Sequence, residues 1–416
     1  METQLNVDQT GRVVDRLTII SADTHGGAAI QDYRPYLATQ WHDEFELWAS
    51  TFESTWLDTD DDDFFLNWDS ARRLAVLEAD GIAAEVVFPN TYPPFFPGRS
   101  LAGTLPVTAE EFARQWAGLQ AHNRWLVDFC AEVPGRRKGV IQILPNDVDA
   151  AVAEVQWAAG RDEICGALIA SVPPNTIEPL YSRVYDPLWA TLAEVEMPVI
   201  THAGSGAPTL PDDPATMPIL IYEYAFWSHR TIWHLVFGGV FERHPALQFV
   251  ATEQGGCKWL GMLAAGLDAK FDALTDPAKQ TVKFDNSAMA ERPMRPSDYL
   301  RRNCWLGASF LQPHDVPHRH DVNVDHVMWG ADFPHNEGTT PYTREALRAG
   351  FSDVPLEEVR SIVGGAAAGL YGFDLTALDG VAARIGPTAE EIATPLDEVP
   401  ADATSYAFLP EYQATY

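Results

Sequence analysis

Leu17-Thr18-Ile19-Ile20-Ser21-Ala22-Asp23-Thr24-His25-Gly26-Gly27 opens as a short β-forming apolar run and closes on an acid, a hydroxyl, an imidazole and two glycines. An apolar run without alternation reads as a strand buried on both faces, the usual condition in a parallel sheet covered by helices. The same form recurs as AAEVVF (83–88), GVIQIL (139–144), CGALIA (165–170), PVITH (198–202), LQFVAT (247–252), NCWLGA (303–308) and HVMWGA (326–331). Helical spacing fills the gaps, for example DVDAAVAEVQWAAG (147–160), VYDPLWATLAEVE (184–196) and SHRTIWHLVFGGVFERH (228–244). LEEVRSIVGGAAAGLYG (356–372) supplies a last helix after the eighth strand. Eight strands alternating with helices specify an α/β fold, a (β/α)₈ TIM barrel.

The remaining segments lie outside this alternation. Residues 1–16 form a leading segment and 17–373 the barrel, with an acidic, partly helical insertion at about 38–70 after strand 1; 374–416 form an extended acidic tail. The Asp60–Asp63 run lacks the alternating ligands and turn glycine of a calcium loop and reads as a solvated face. TYPPFFPG (91–98) is too proline-rich for a helix or strand and belongs in a loop at the barrel mouth. Across 416 residues, 28 Lys and Arg stand against 59 Asp and Glu, a net charge of −31. Such a surface repels nucleic acid and anionic lipid. No apolar run reaches the roughly 18 residues of a membrane span, and the first residues lack a basic, then apolar, leader, so a cytoplasmic location is expected. Cys130, Cys165, Cys257 and Cys304 form no C-x-x-C pair and are expected reduced and buried.

Barrels of this type carry their chemistry where strands end. Asp23 and His25 come immediately after strand 1, LTIISA (17–22), and share a face of the extended chain; His202 closes strand 5 and Asp332 follows strand 8. Two imidazoles and two carboxylates from three strands would make a nitrogen/oxygen site for one catalytic divalent ion. His335, three residues after Asp332, reads as a group that orients it or as a rim histidine. Glu253, just past strand 6, reads either as an acid beside the metal or as a structural acid paired with a base such as Lys258. Trp259 is better explained by packing than by a pocket wall. The His314, His318 and His320 cluster is broken by prolines and reads as a loop between strands 7 and 8. No G-x-S-x-G elbow and no G-x-G-x-x-G turn is present, which leaves the metal as the catalytic centre.

The phrases SADTH, DGIAAEVVFPN, YDPLWATLAEVEMPVITHAG, GVFERHPALQFVATEQGG and GADFPH resemble the amidohydrolase superfamily, in the amidohydrolase-related (amidohydrolase 2) branch that includes aminocarboxymuconate semialdehyde decarboxylase. The resemblance runs from about Leu17 to Phe373. It implies one divalent metal held by Asp23, His25, His202 and Asp332, with Zn²⁺ the first choice and Mn²⁺ and Fe²⁺ behind it. It also implies Asp332 as the proton-delivering catalytic residue, to which the reading of the residues themselves adds Glu253 and His335 as candidates. Many relatives carry H-x-H where this chain has Asp23 and His25, and decarboxylases of the branch have a histidine where Glu253 stands. The implied activity is non-oxidative decarboxylation, a carbon–carbon lyase reaction on a small aromatic or unsaturated carboxylic acid. Glu253 keeps hydrolysis of an amide, ester, lactone or C–C bond by metal-activated water close behind. A barrel that only binds a ligand is the alternative of another class. The relatives also imply a homodimer, with the tail expected at its interface.

Overall fold

The computed structural model describes residues 15–52, 64–96, 105–171, 176–204, 206, 213–276, 278 and 292–409. Eight parallel strands follow one another around a single sheet in chain order. They are β1 (Ile19–Gly26), β2 (Ile82–Pro89), β3 (Arg137–Ile143), β4 (Ile164–Ile169), β5 (Val199–His202), β6 (Phe249–Thr252), β7 (Cys304–Ser309) and β8 (Val327–Gly330). The sheet returns on itself through a bridge between Thr24 and Phe333, with Asp332 N donating to Asp23 O at 2.9 Å and His25 N to Phe333 O at 2.6 Å. The (β/α)₈ barrel read from the eight apolar runs is the observed fold.

β1 runs further than its apolar segment, through Asp23, Thr24 and His25 to Gly26. Backbone partners on both sides cause this: Thr24 and His25 pair with Val87 and Phe88, while Asp23 and His25 bond to the chain after β8. Between Ser21 and Thr24 one extra residue is inserted opposite β2. A bulge of this kind bends the strand and re-aims its side chains, here at the strand's functional end.

Two apolar layers hold the barrel. Ile20, Ala22, Val86, Val140, Ile200 and Met328 belong to one cluster, into which the helix Ala366–Tyr371 also packs. A larger layer joins the opposite faces of the strands to the helices, with Trp189, Trp329, Phe249 and Phe351 among its largest members. Across that layer β2 carries a buried ion cluster. Arg73 Nη2 and Arg137 Nε reach Glu85 at 2.6 and 2.7 Å, and Arg73 Nη1 donates to His25 O at 2.6 Å. The two guanidiniums outweigh the effect of burial and hold the Glu85 carboxyl down at about 2.

The insertion after β1 is helical, with short 3₁₀ turns and α1 (His42–Thr51), whose Phe45 is buried. The Asp60–Asp63 run lies outside the described residues, as do Pro97 and Gly98 of the proline-rich loop. The described part of that loop follows β2 and packs Phe95 against Trp48 and Phe45. The tail from Asp374 packs on its own barrel, with helices Leu375–Ile385 and Ala389–Ile392 burying Leu378, Ala382 and Ile392. The four cysteines are unpaired and buried. Among the described residues no helix is long and apolar enough to cross a membrane.

Candidate metal centre

Six titratable side chains meet at one end of the barrel. Asp23 and His25 come from β1, His202 is the last residue of β5, Glu253 follows β6, and Asp332 and His335 follow β8. His25 Nε2 lies 3.5 Å from Asp23 Oδ1 and 3.2 Å from Asp332 Oδ1. His202 Nε2 lies 3.5 Å from the same Asp23 oxygen and 3.2 Å from Glu253 Oε2. The two rings stand nearly perpendicular, centroids 5.0 Å apart. Donor atoms of Asp23, His25, His202 and Glu253 all lie within 4.8 Å of one another; His25, Asp332 and His335 form a second group that shares His25. The structure thus brings together every site residue expected from the sequence, and puts Glu253 within the donor group.

The backbone is strained where it delivers these groups. Glu253 and Asp332 have φ of 54° and 57°, and Phe310, just past β7, has 41°. A non-glycine residue in this left-handed region costs about 1–2 kcal/mol and is held only by its surroundings. Here the holding bonds run between neighbouring strands: Glu253 N to Gly307 O at 3.0 Å, Phe310 N to Gly330 O at 2.7 Å and Asp332 N to Asp23 O at 2.9 Å. Gly330 serves a different need. A Cβ there would lie 2.6 Å from Asp23 Cβ, so only glycine lets β8 approach β1 this closely.

The imidazoles are aimed. His25 Nδ1 donates to Pro89 O at 3.2 Å and His202 Nδ1 to Ala203 O at 3.1 Å, which leaves each Nε2 lone pair pointing into the cluster. His25 Nε2, His202 Nε2, Asp23 Oδ1 and Asp332 Oδ2 are buried and make no hydrogen bond. Buried polar atoms are normally satisfied, so the three from Asp23, His25 and His202, which lie in one donor group, fit a cation, with the Asp332 oxygen in the adjoining group that shares His25. An N₂O₂ donor set at strand ends suits a divalent first-row metal.

Charge in the cluster is divided unequally. Burial disfavours the charged form of Asp332, but His335 and His25 outweigh it and hold this carboxyl well below the usual range. Burial and the Asp332 charge push Glu253 the other way, far above the usual range, against the pull of His202. Burial also opposes protonation of His202, yet Glu253 and Asp23 raise it to about 9. His335, through Asp332, rises to about 10 against its own burial. Its Nδ1 donates to Asp332 Oδ1 at 2.9 Å and its Nε2 to Asn90 Oδ1 at 3.2 Å.

Three neighbours escaped the sequence reading. Ser309 Oγ donates to Asp23 Oδ2, Asn90 braces His335, and the Phe88 ring lies 5.1 Å from that of His202. Each sits at a strand end, and the rule that located Asp332 applies equally to them. The His314 to His320 segment forms a 3₁₀ turn, Val316–His320, and its Asp315 accepts from Cys257 N and Lys258 N at 2.7 Å each, capping the helix after β6. Trp259 stacks on His229, centroids 4.0 Å apart, in the packing role expected of it.

The profile of the amidohydrolase family matches residues 45–373, and the chain belongs to that family. The matched range holds His202, Glu253, Asp332 and His335, while Asp23 and His25 precede it. A gamma-resorcylate decarboxylase of Rhodococcus jostii (strain RHA1) is 26% identical over 232 residues, which are 51% of this chain and 64% of the relative, just short of two thirds of its length. Among solved structures, a 5-carboxyvanillate decarboxylase of Novosphingobium aromaticivorans, complexed with manganese and 4-hydroxy-3-methoxy-5-nitrobenzoic acid, superposes with a TM-score of 0.63 at 18% identity. That match covers 89% of this chain and all of the other. A dihydroxybenzoic acid decarboxylase of Polaromonas sp. JS666, with manganese and 2-nitroresorcinol bound, gives a TM-score of 0.56 at 16% identity over 86% of this chain and 97% of the other.

Proposed function

We propose that this chain is a divalent-metal-dependent decarboxylase of a small hydroxylated aromatic carboxylic acid. The observation that carries the reading is the convergence of three buried donor atoms without hydrogen bonds, from Asp23, His25 and His202, with Asp332 in the adjoining group that shares His25. The decarboxylase relatives support the substrate class. Manganese in two of them moves Mn²⁺ ahead of the Zn²⁺ expected from donor types alone. A bound divalent ion supplies Lewis-acid polarisation of a substrate oxygen.

The chain's own groups do the rest. Phe88, whose buried ring lies 5.1 Å from that of His202, packs against that imidazole. Asp332 and His335 share a proton along the 2.9 Å contact between His335 Nδ1 and Asp332 Oδ1. In decarboxylation the carbon–carboxylate bond breaks, CO₂ leaves, and the ring carbon takes one proton in its place. We assign that proton to Asp332, re-supplied by His335, which Asn90 holds in place. Glu253 favours a second reading. A buried carboxyl held protonated beside His202 is placed to give a proton to a leaving group, the task of a general acid in hydrolysis. A homodimer and a cytoplasmic location complete the proposal.

The test is CO₂ release from a panel of hydroxybenzoates by Mn²⁺-loaded protein, run beside an amide, ester and lactone panel. CO₂ release lost in Asp332→Asn is the expected result; turnover of only the second panel would replace decarboxylation by hydrolysis.

A further inference from the structure

Glu253 stands at ligand spacing from its neighbours. Its Oε2 lies 3.2 Å from His202 Nε2, and the Nε2 atoms of His25 and His202 each lie 3.5 Å from Asp23 Oδ1. Donors held about 2.0–2.2 Å from one ion in a tetrahedron stand about 3.3–3.6 Å apart. The observed separations are close to that spacing, and the donor atoms of Asp23, His25, His202 and Glu253 all lie within 4.8 Å of one another.

The backbone is built to keep Glu253 there. Its φ of 54° is left-handed, and its N–H is held by Gly307 O at 3.0 Å. The next residue is fixed from two strands' ends and a helix: Gln254 Nε2 donates to Thr201 O at 2.7 Å and to Thr201 Oγ1 at 2.6 Å, and Gln254 O accepts from His229 Nε2 at 2.6 Å. Strain of this kind persists only where the surroundings over-determine it, and it gathers at functional sites. Buried charges are paired or coordinate metals. The charged groups that act most strongly on Glu253 are Asp332, His202, Asp23 and His335, all members of the cluster, with no lysine or arginine among them. Three carboxylates this close repel one another, and a divalent cation between them removes that repulsion.

We propose that Glu253 is itself a metal ligand through Oε2, joining Asp23, His25 and His202 in one donor group to which Asp332 is added from the adjoining one. This rests on the metal-dependent reading above. A ligating carboxylate carries no proton, so this role and the hydrolytic one set out for Glu253 exclude each other.

The test is titration of full-length, metal-free protein with Co²⁺, whose visible bands report the number and kind of its ligands, followed by displacement with Mn²⁺ to obtain the Mn²⁺ affinity. Wild type is expected to bind one Co²⁺ per chain. Glu253→Leu, which offers no donor, is expected to change the bands and to weaken Mn²⁺ by more than about 100-fold, beyond the roughly 10–100-fold of a residue that only supports a ligand. Glu253→His supplies a nitrogen donor and is expected to regain most of that affinity, with bands moved to higher energy. Wild-type bands in the leucine variant, or in the histidine variant should only that one fold, would overturn the proposal at any affinity, because a charge acting from outside the ligand set weakens binding without altering the bands. Failure of wild type to bind Co²⁺ would instead remove the metal-dependent reading, and this inference with it.

Discussion

Asp332 combines three properties that no other residue of the cluster shares: a left-handed backbone, a depressed carboxyl and a buried oxygen without a hydrogen bond. Asp332→Asn keeps the shape and removes the proton-carrying oxygen, so CO₂ release should fall by about 10²–10⁴-fold, the usual weight of a positioned acid or base. His335→Gln, which removes the brace and leaves the acid, should cost less and act on kcat more than on KM. Gly330→Ala tests the backbone approach. Its new methyl would displace Asp23, so Mn²⁺ affinity measured by titration should fall roughly 10–100-fold while the circular dichroism spectrum stays that of a folded barrel.

β2 illustrates how an element outside the cluster sets its geometry. Glu85 bridges two buried guanidiniums, and one of these, Arg73, holds the carbonyl of His25. Glu85→Gln strands both cations, and urea unfolding should show a loss of about 3–5 kcal/mol. The pH dependence follows from the sign of the shift. The Glu85 carboxyl is at about 2 in the fold against an ordinary 4.5, so its stabilisation is complete above about 4.5 and fades as pH falls toward 2. Glu85→Gln should flatten the stability curve over that window, which unfolding at a series of pH values will read.

The eight strands were legible because each is a continuous apolar run between helical patterns. The extension of β1 was not, because its polar residues stay in the strand through ladder partners more than 60 and 300 residues away. Strand-end position located Asp23, His25, His202 and Asp332, whereas Ser309 and Asn90 lacked a metal-ligand side chain to draw notice. The place of the tail was not legible. It depends on pairings such as Leu17 N to Pro387 O at 2.9 Å, which joins the two ends of the described chain, and Tyr342 Oη to Asp402 at 2.7 Å. A chain ended at Phe373 loses the burial of Leu378, Ala382 and Ile392 and should be less stable by at least about 2 kcal/mol, one buried leucine's worth. A chain ended after Pro395 keeps those contacts but loses the Tyr342–Asp402 bond and the burial of Ala407, and should unfold between the two by differential scanning calorimetry.

At the scale of the whole molecule, a net charge of −31 surrounds a centre that holds three acids and three histidines within a few ångströms. The barrel makes this tolerable by burying the cluster at its strand ends, where each imidazole's far nitrogen is already committed to a carbonyl or a side chain. A resident cation is the element that completes the account. Metal content per chain, by inductively coupled plasma mass spectrometry on protein reconstituted with Mn²⁺ and desalted, tests this most directly in wild type, His202→Ala and Asp332→Ala. About one tightly held ion in wild type, lost in both folded variants, is the predicted result. Wild-type protein without stoichiometric metal, or folded variants that keep it, would contradict the account.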